Sequence, residues 1–156
     1  MDTVDLRSAL LENFGAEFMP RANVIAPQFN ASAGAKMAQQ LFAGKLWNNI
    51  EISLLFHSQD ALRCLSDEAF GYYIAAYINL IILSYYEADA LVDTVISMLT
   101  PPASQGSPRL TWVNSRLGAI NNPQRIVIAS FLKFLEAEYS DFGARNALEV
   151  FWHTYC

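Results

Sequence analysis

With 156 residues, a net charge of −5 and only 16% charged residues against a usual value of about 25%, the chain fits one core-rich domain spanning residues 1–156. A domain of this size buries about 68–70% of the surface of its unfolded form and needs neither disulfide nor metal to stand. The acidic balance argues against nucleic-acid binding, which needs Lys and Arg to displace counterions from phosphates, and it suits a basic protein partner.

Two cysteines, Cys64 and Cys156, make neither a disulfide framework nor a metal set. The opening Met-Asp-Thr-Val-Asp has no basic n-region or apolar h-region, so a reduced, cytoplasmic setting is expected. The charge is unevenly spread. Residues 64–108 hold five acids (Asp67, Glu68, Glu87, Asp89, Asp93) and no base, while the remainder carries ten of each.

In chain order, Val4 to Phe14 predicts a short amphipathic helix with Val4, Leu6, Leu10, Leu11 and Phe14 on one side and Gly15 as its stop. Glu17 to Ala35, with Pro20, Pro27 and Gly34, predicts an irregular connection. Its apolar residues Phe18, Met19, Val24, Ile25 and Phe29 suggest a strap over the core. Lys36 to Phe42 predicts a helix. Leu46 to Phe56 fits two patterns: Ile50, Ile52, Leu54 and Phe56 alternate as in a strand, whereas Trp47, Ile50, Leu54 and Leu55 are helically spaced. The helix is preferred, since no comparable second strand exists to pair with it. Ser58 is expected to cap a short helix from Gln59 to Leu65, and Ser66 to cap the next, with Asp67 and Glu68 favourably placed in its first turn.

That next helix is the centre of the chain. Ala69 to Tyr86 is eighteen residues without a charge, apolar almost all round, and must be covered on several sides. A membrane span is the rival reading, but both flanks are acidic and no base lies between Arg63 and Arg109, so a buried core helix is preferred. The apolar pattern runs on through Leu91, Val95 and Leu99, as one helix bent near Glu87 or as two, until Pro101 and Pro102. Thr100 to Pro108 reads as a linker, and Leu110 to Leu117 as a short helix. Asn122 before Pro123 predicts a capped helix to about Tyr139, and Ser140 or Asp141 a cap for the last, which buries Ala144, Ala147, Leu148, Phe151 and Trp152. The expected fold is an all-α bundle of about six to eight helices around a central helix near residues 67–86.

No Gly-rich phosphate loop, GxSxG, HExxH or paired CxxC occurs. His57, Asp60 and Cys64 lie close in sequence, but ordinary packing explains them and no third orienting group is indicated. His57 and His153 lack metal-ligand spacing. No catalytic residue, metal or cofactor is therefore expected. The acids Glu87, Asp89 and Asp93, and then Glu136, Glu138 and Asp141, are the candidate partner-binding residues. Asp89 and Asp93 are four apart on a predicted helix, where like charges repel, so something beyond helix stability is expected to hold them there.

Phe42 to Trp47 (FAGKLW), Ala61 to Tyr77 (ALRCLSDEAFGYYIAAY) and Asn122 to Leu135 (NPQRIVIASFLKFL), with the closing Phe151 and Trp152, together resemble a family of small, mostly bacterial proteins known as a domain of unknown function. Members often carry Leu-Pro-Ala where Ile74, Ala75 and Ala76 stand here, which implies a straighter helix in this chain. The resemblance implies an all-helical cytosolic domain and brings no catalytic residue. Small acidic domains of this kind are often antidotes, so the expected function is that of a non-enzymatic immunity protein that neutralises a basic antibacterial toxin. A homo-oligomeric adaptor, in which surplus apolar surface meets a second copy, is the alternative, and a small hydrolase using Cys64 and His57 the third.

Overall fold

The computed structural model describes residues 1–27 and 31–156. Among them nine α-helices form in the order α1 (Thr3–Asn13), α2 (Ala33–Phe42), α3 (Ile52–Leu55), α4 (Gln59–Arg63), α5 (Asp67–Ala88), α6 (Ala90–Met98), α7 (Pro108–Gly118), α8 (Asn122–Tyr139) and α9 (Phe142–Val150). Three 3₁₀ turns lie between them and a fourth (Trp152–Tyr155) follows α9, and no strand occurs among the described residues. The fold is the all-α single-domain bundle expected, with one helix more than the upper expectation, because the apolar run after residue 67 divides at Asp89 into two helices rather than continuing as one. Phe29 of the expected strap lies outside the described residues.

The uncharged stretch forms α5, and all but one residue from Ala69 to Ile82 is buried. By length and composition it could cross a membrane, yet 72% of its most apolar window is buried inside the fold. Residues 74–76 are regularly helical, and the departure comes at Ser84 (φ −147°, ψ 49°). Asp89, at φ +47°, then separates α5 from α6. Ser66 caps α5 as expected, accepting from Ala69 N at 3.1 Å, while its own hydroxyl donates to Val24 O. Thus one serine fixes both the start of the central helix and the strap beside it.

Leu46 to Phe56 holds the preferred helix only as a single turn, and no strand. It makes a 3₁₀ turn (Trp47–Asn49), an extended pair at Ile50 and Glu51, and the single turn α3. The reason is a row of tyrosines on α5. The Tyr73 hydroxyl lies within bonding distance of both Phe42 O (2.8 Å) and Lys45 O (2.7 Å). Tyr72 Oη accepts from Trp47 N (3.2 Å), and Tyr77 Oη lies 2.8 Å from Ser58 Oγ, which itself donates to Leu55 O (2.6 Å). Backbone groups that a helix or sheet would have paired internally are met by side chains of the core helix instead. The rings add packing: Phe42 and Tyr73 centroids are 4.5 Å apart and Phe42 is fully buried.

This also corrects the expected cap at Ser58. Its side chain makes no bond to the start of α4 because it is turned to Leu55 and Tyr77. Three further expectations shift. The buried stripe of α1 is Leu6, Leu10 and Phe14 alone, with Val4 and Leu11 exposed. Of the strap, Ile25 is buried but Phe18 and Met19 are exposed. Asn121 rather than Asn122 caps α8, in a reciprocal box with Gln124 (2.9 and 3.1 Å).

Close approach between elements depends on glycine at Gly71. A Cβ there would stand 2.8 Å from the backbone oxygen of Ala119, which lets the end of α7 lie directly on α5. Two tryptophans tie other ends: Trp47 Nε1 donates to Phe14 O (2.7 Å) and Trp152 Nε1 to Leu99 O (2.8 Å).

Tyr73→Phe leaves the ring and removes the hydroxyl shared by two carbonyls, so it is expected to lower the unfolding free energy by about 1–3 kcal/mol, read from the urea midpoint at unchanged slope. Burial raises the ionisation of Tyr72, Tyr73 and Tyr77 above the ordinary tyrosine value. The folded state therefore holds these protons more tightly than the unfolded chain. The contribution of these three tyrosines to stability is expected to be constant below about pH 10 and to fall above it, with tyrosinate absorbance rising together with the loss of helical circular dichroism.

Candidate functional site

Members of the two groups of acids, Glu87 and Asp93 from one and Glu138 and Asp141 from the other, more than forty residues apart in sequence, meet around an aromatic cluster at one end of the bundle. Tyr85 of α5 and Tyr139 of α8 are stacked, with centroids 3.8 Å apart and planes 2° from parallel. Tyr86 stands edge-on to both at 5.3 and 5.5 Å and is 78% exposed. Asp141 joins α5 to α9: one carboxylate oxygen accepts from Tyr85 Oη (2.6 Å), and the other caps α9 through Ala144 N (2.9 Å).

The Tyr85 hydroxyl is held well above its ordinary ionisation range, first by burial, then by its bond to Asp141 and the charges of Asp141 and Asp93. Tyr139 is raised by burial, then by Tyr86, Glu138 and Glu87. Asp93 and Asp141 thus act on one ring of the stack, and Glu87 and Glu138 on the other.

The remaining two candidates stand apart. Glu136 is paired with Arg145 Nε at 2.9 Å, and its charge is locally answered. Asp89 makes no side-chain cap bond to α6 among the described residues and occupies the sharp α5–α6 junction. The expectation that Asp89 and Asp93 repel along one helix is corrected here. Asp89 stands between the end of α5 and the start of α6, and Asp93 lies in the first turn of α6, where negative charge is favourable, so the two do not share one continuous helix.

Glu87 and Glu138 are in the opposite position. They fall in the last turns of α5 and α8, neither of which contains a base, and negative charge at a helix C-terminus is disfavoured. Sequence reasoning named the acids but not Tyr85, Tyr86 and Tyr139. The available signal was that each acidic group directly abuts a tyrosine: Tyr86 before Glu87, and Tyr139 after Glu138.

Among the described residues no group of His, Cys, Asp and Glu could hold a metal ion. Cys64 is half-buried with Ser32 Oγ at 3.7 Å, and His57 is exposed. The tightest feature beside that thiol is Gly34, where a Cβ would lie 2.7 Å from Cys64 Sγ.

A family model matches residues 26–156, most of the chain. The chain belongs to DUF6714, a family of unknown function. No curated protein and no solved structure matches it. The DUF6714 match contains α2 to α9 and hence every residue of the acidic tyrosine cluster, to which the family's description attaches no role.

Asp141→Ala removes the α9 cap and the Tyr85 acceptor together and is expected to destabilise by about 1–3 kcal/mol in urea unfolding. Asp141→Asn keeps an oxygen for the cap and is expected to cost clearly less.

Proposed function

We propose that this chain is a non-enzymatic interaction protein that takes a basic protein partner on the acidic tyrosine face. The observation that carries this reading is the placement of Glu87 and Glu138 at two helix C-termini without a base in either last turn, beside the exposed Tyr86. Each acid so placed costs the fold about 0.3–1 kcal/mol, a cost that a Lys or Arg from outside would reverse. An exposed aromatic rimmed by charge is also the composition of an interface centre: tyrosine supplies contact area at low entropy cost, and the charges set approach rate and partner choice.

In its most concrete form the protein is a bacterial, cytoplasmic immunity protein that covers the active site or substrate path of a cognate antibacterial toxin. That step rests on association between small acidic domains and antidotes and not on the fold. A second copy of the chain is the competing occupant. It is favoured by Phe142, which is also 78% exposed and lies one residue past Asp141.

Glu87→Lys combined with Glu138→Lys separates binding from folding. The double variant is expected to be as stable as the parent or more so, by about 0.3–1 kcal/mol per site, because each lysine now suits its helix end. It is expected to bind the partner about a hundredfold more weakly, since like charges then face each other. The partner is obtained by affinity capture from the source organism with identification by mass spectrometry. It should be one basic protein at fixed stoichiometry whose toxicity on expression is relieved by co-expressing this chain. A double variant that still protects, or a capture that yields only a defined oligomer of the chain itself, overturns the antidote reading.

A further inference from the structure

A second feature lies on another face and does not depend on the partner reading. Arg63 and Arg109 bound the longest base-free stretch in the sequence, and the fold brings both to the wall of one groove. The groove is about 490 Å³ and is lined by Arg63 at the end of α4, Thr94, Ser97 and Met98 of α6, and Pro108, Arg109 and Trp112 of α7. In a chain of net charge −5, its lining carries two guanidinium groups and no acid.

The groups are set in place by the fold. Arg109 Nη2 donates to Ser97 O (3.1 Å) and Ser97 Oγ (2.6 Å), which fixes one edge of the guanidinium and leaves Nε and Nη1 without an acceptor among the described residues. Arg63 makes only long contacts, to Asp60 Oδ1 (3.3 Å) and Thr94 Oγ1 (3.4 Å), on an exposed side chain. The Trp112 ring is held by Arg116, 5% exposed, whose guanidinium carbon is 3.9 Å from the ring centroid. Arg116 is anchored in turn by Leu65 O (2.8 Å) and Asp67 (3.3 Å), which answers its charge, and its buried Nε has no partner among the described residues.

We infer that this groove binds a small organic anion of nucleoside-monophosphate type, a phosphate joined to a flat ring. Arginine forks match the oxygens of a phosphate in paired hydrogen bonds, and the Ser97 hydroxyl, which accepts from Arg109, still has its own proton to donate. Trp112, over whose ring the Arg109 guanidinium also lies at 5.6 Å, gives with Met98 and Pro108 the apolar part of the lining against which a ring edge can rest, and the volume lies within the usual range for small-ligand clefts of about 300–1,000 Å³. Carboxylates flank the groove at both ends, Asp60 on Arg63 and Asp93 in the neighbouring depression that shares Ser97 and Arg109, so the anion belongs between the two arginines, on the free edge of Arg109 and the Ser97 hydroxyl.

Trp112 is also the reporter, since Trp47 and Trp152 are 4% and 0% exposed. The full chain is titrated with the four ribonucleoside 5′-monophosphates, with inorganic phosphate, with adenosine and with a glutamate-rich peptide, by calorimetry and by tryptophan emission. At least one monophosphate is expected to bind about tenfold or more tighter than phosphate and adenosine, with a change in emission that Trp112→Phe abolishes. Arg63→Gln and Arg109→Gln, both on exposed side chains, are each expected to weaken it about tenfold at unchanged melting temperature. The inference is overturned if no monophosphate binds at millimolar concentration, if phosphate alone binds as well, if the peptide binds better, or if neither arginine substitution alters the affinity.

Discussion

The fold depends on the hydroxyls of three tyrosines on one buried helix. Tyr72, Tyr73 and Tyr77 reach out from α5 to backbone groups between Phe42 and Ser58, a stretch with almost no regular structure of its own. Burying irregular backbone is costly unless each N–H and C=O finds a partner. Here the partners come from the helix that the stretch covers. The same side chains therefore provide apolar bulk to the core and hydrogen bonds to its lid, and the central helix is enclosed without a sheet or a second long helix on that side.

That arrangement also decides what could be read from the sequence. Features set by neighbouring residues were legible: the charge-free run of α5, its cap at Ser66, the cap of α9 to within one residue (Ser140 or Asp141, and it is Asp141), and the breaks at Gly15 and at Pro101 and Pro102. Features set across the fold were not. Ser58 has the right residue type and position for a cap, but its hydroxyl is claimed by Leu55 and Tyr77. Ile50, Ile52, Leu54 and Phe56 alternate like a strand, yet the residues the fold buries are Ile50 and Leu55, with Leu54 turned outward, because an extended pair gives way there to a single helical turn. Val4 and Leu11 fit the helical stripe of α1, yet the surface that α1 presents to the core is narrower than the apolar pattern.

The candidate site was legible as residues and illegible as a place. Each acid could be named, but nothing local indicates that Glu87 and Glu138 act on one ring while Asp93 and Asp141 act on its stacked partner. The outcome for Asp89 and Asp93 shows how much hangs on a boundary. Inside one continuous helix they are a repelling pair, and with a break at Asp89 they no longer share one. The groove shows the same limit in reverse. The absence of bases between Arg63 and Arg109 reads as an acidic segment along the chain, whereas in space its two ends meet and make a cationic patch.

The indoles of Trp47 and Trp152 have a consequence for how the domain folds. Each donates to a carbonyl at the C-terminal end of a helix distant in sequence, α1 in one case and α6 in the other, across 33 and 53 residues. Neither helix end has its final hydrogen bond until remote chain has arrived. With the tyrosine contacts added, the molecule has few elements that can be completed alone, so opening one region withdraws partners from another. Such a chain unfolds as a single cooperative unit, in contrast to a repeat array in which neighbouring helices complete one another in turn.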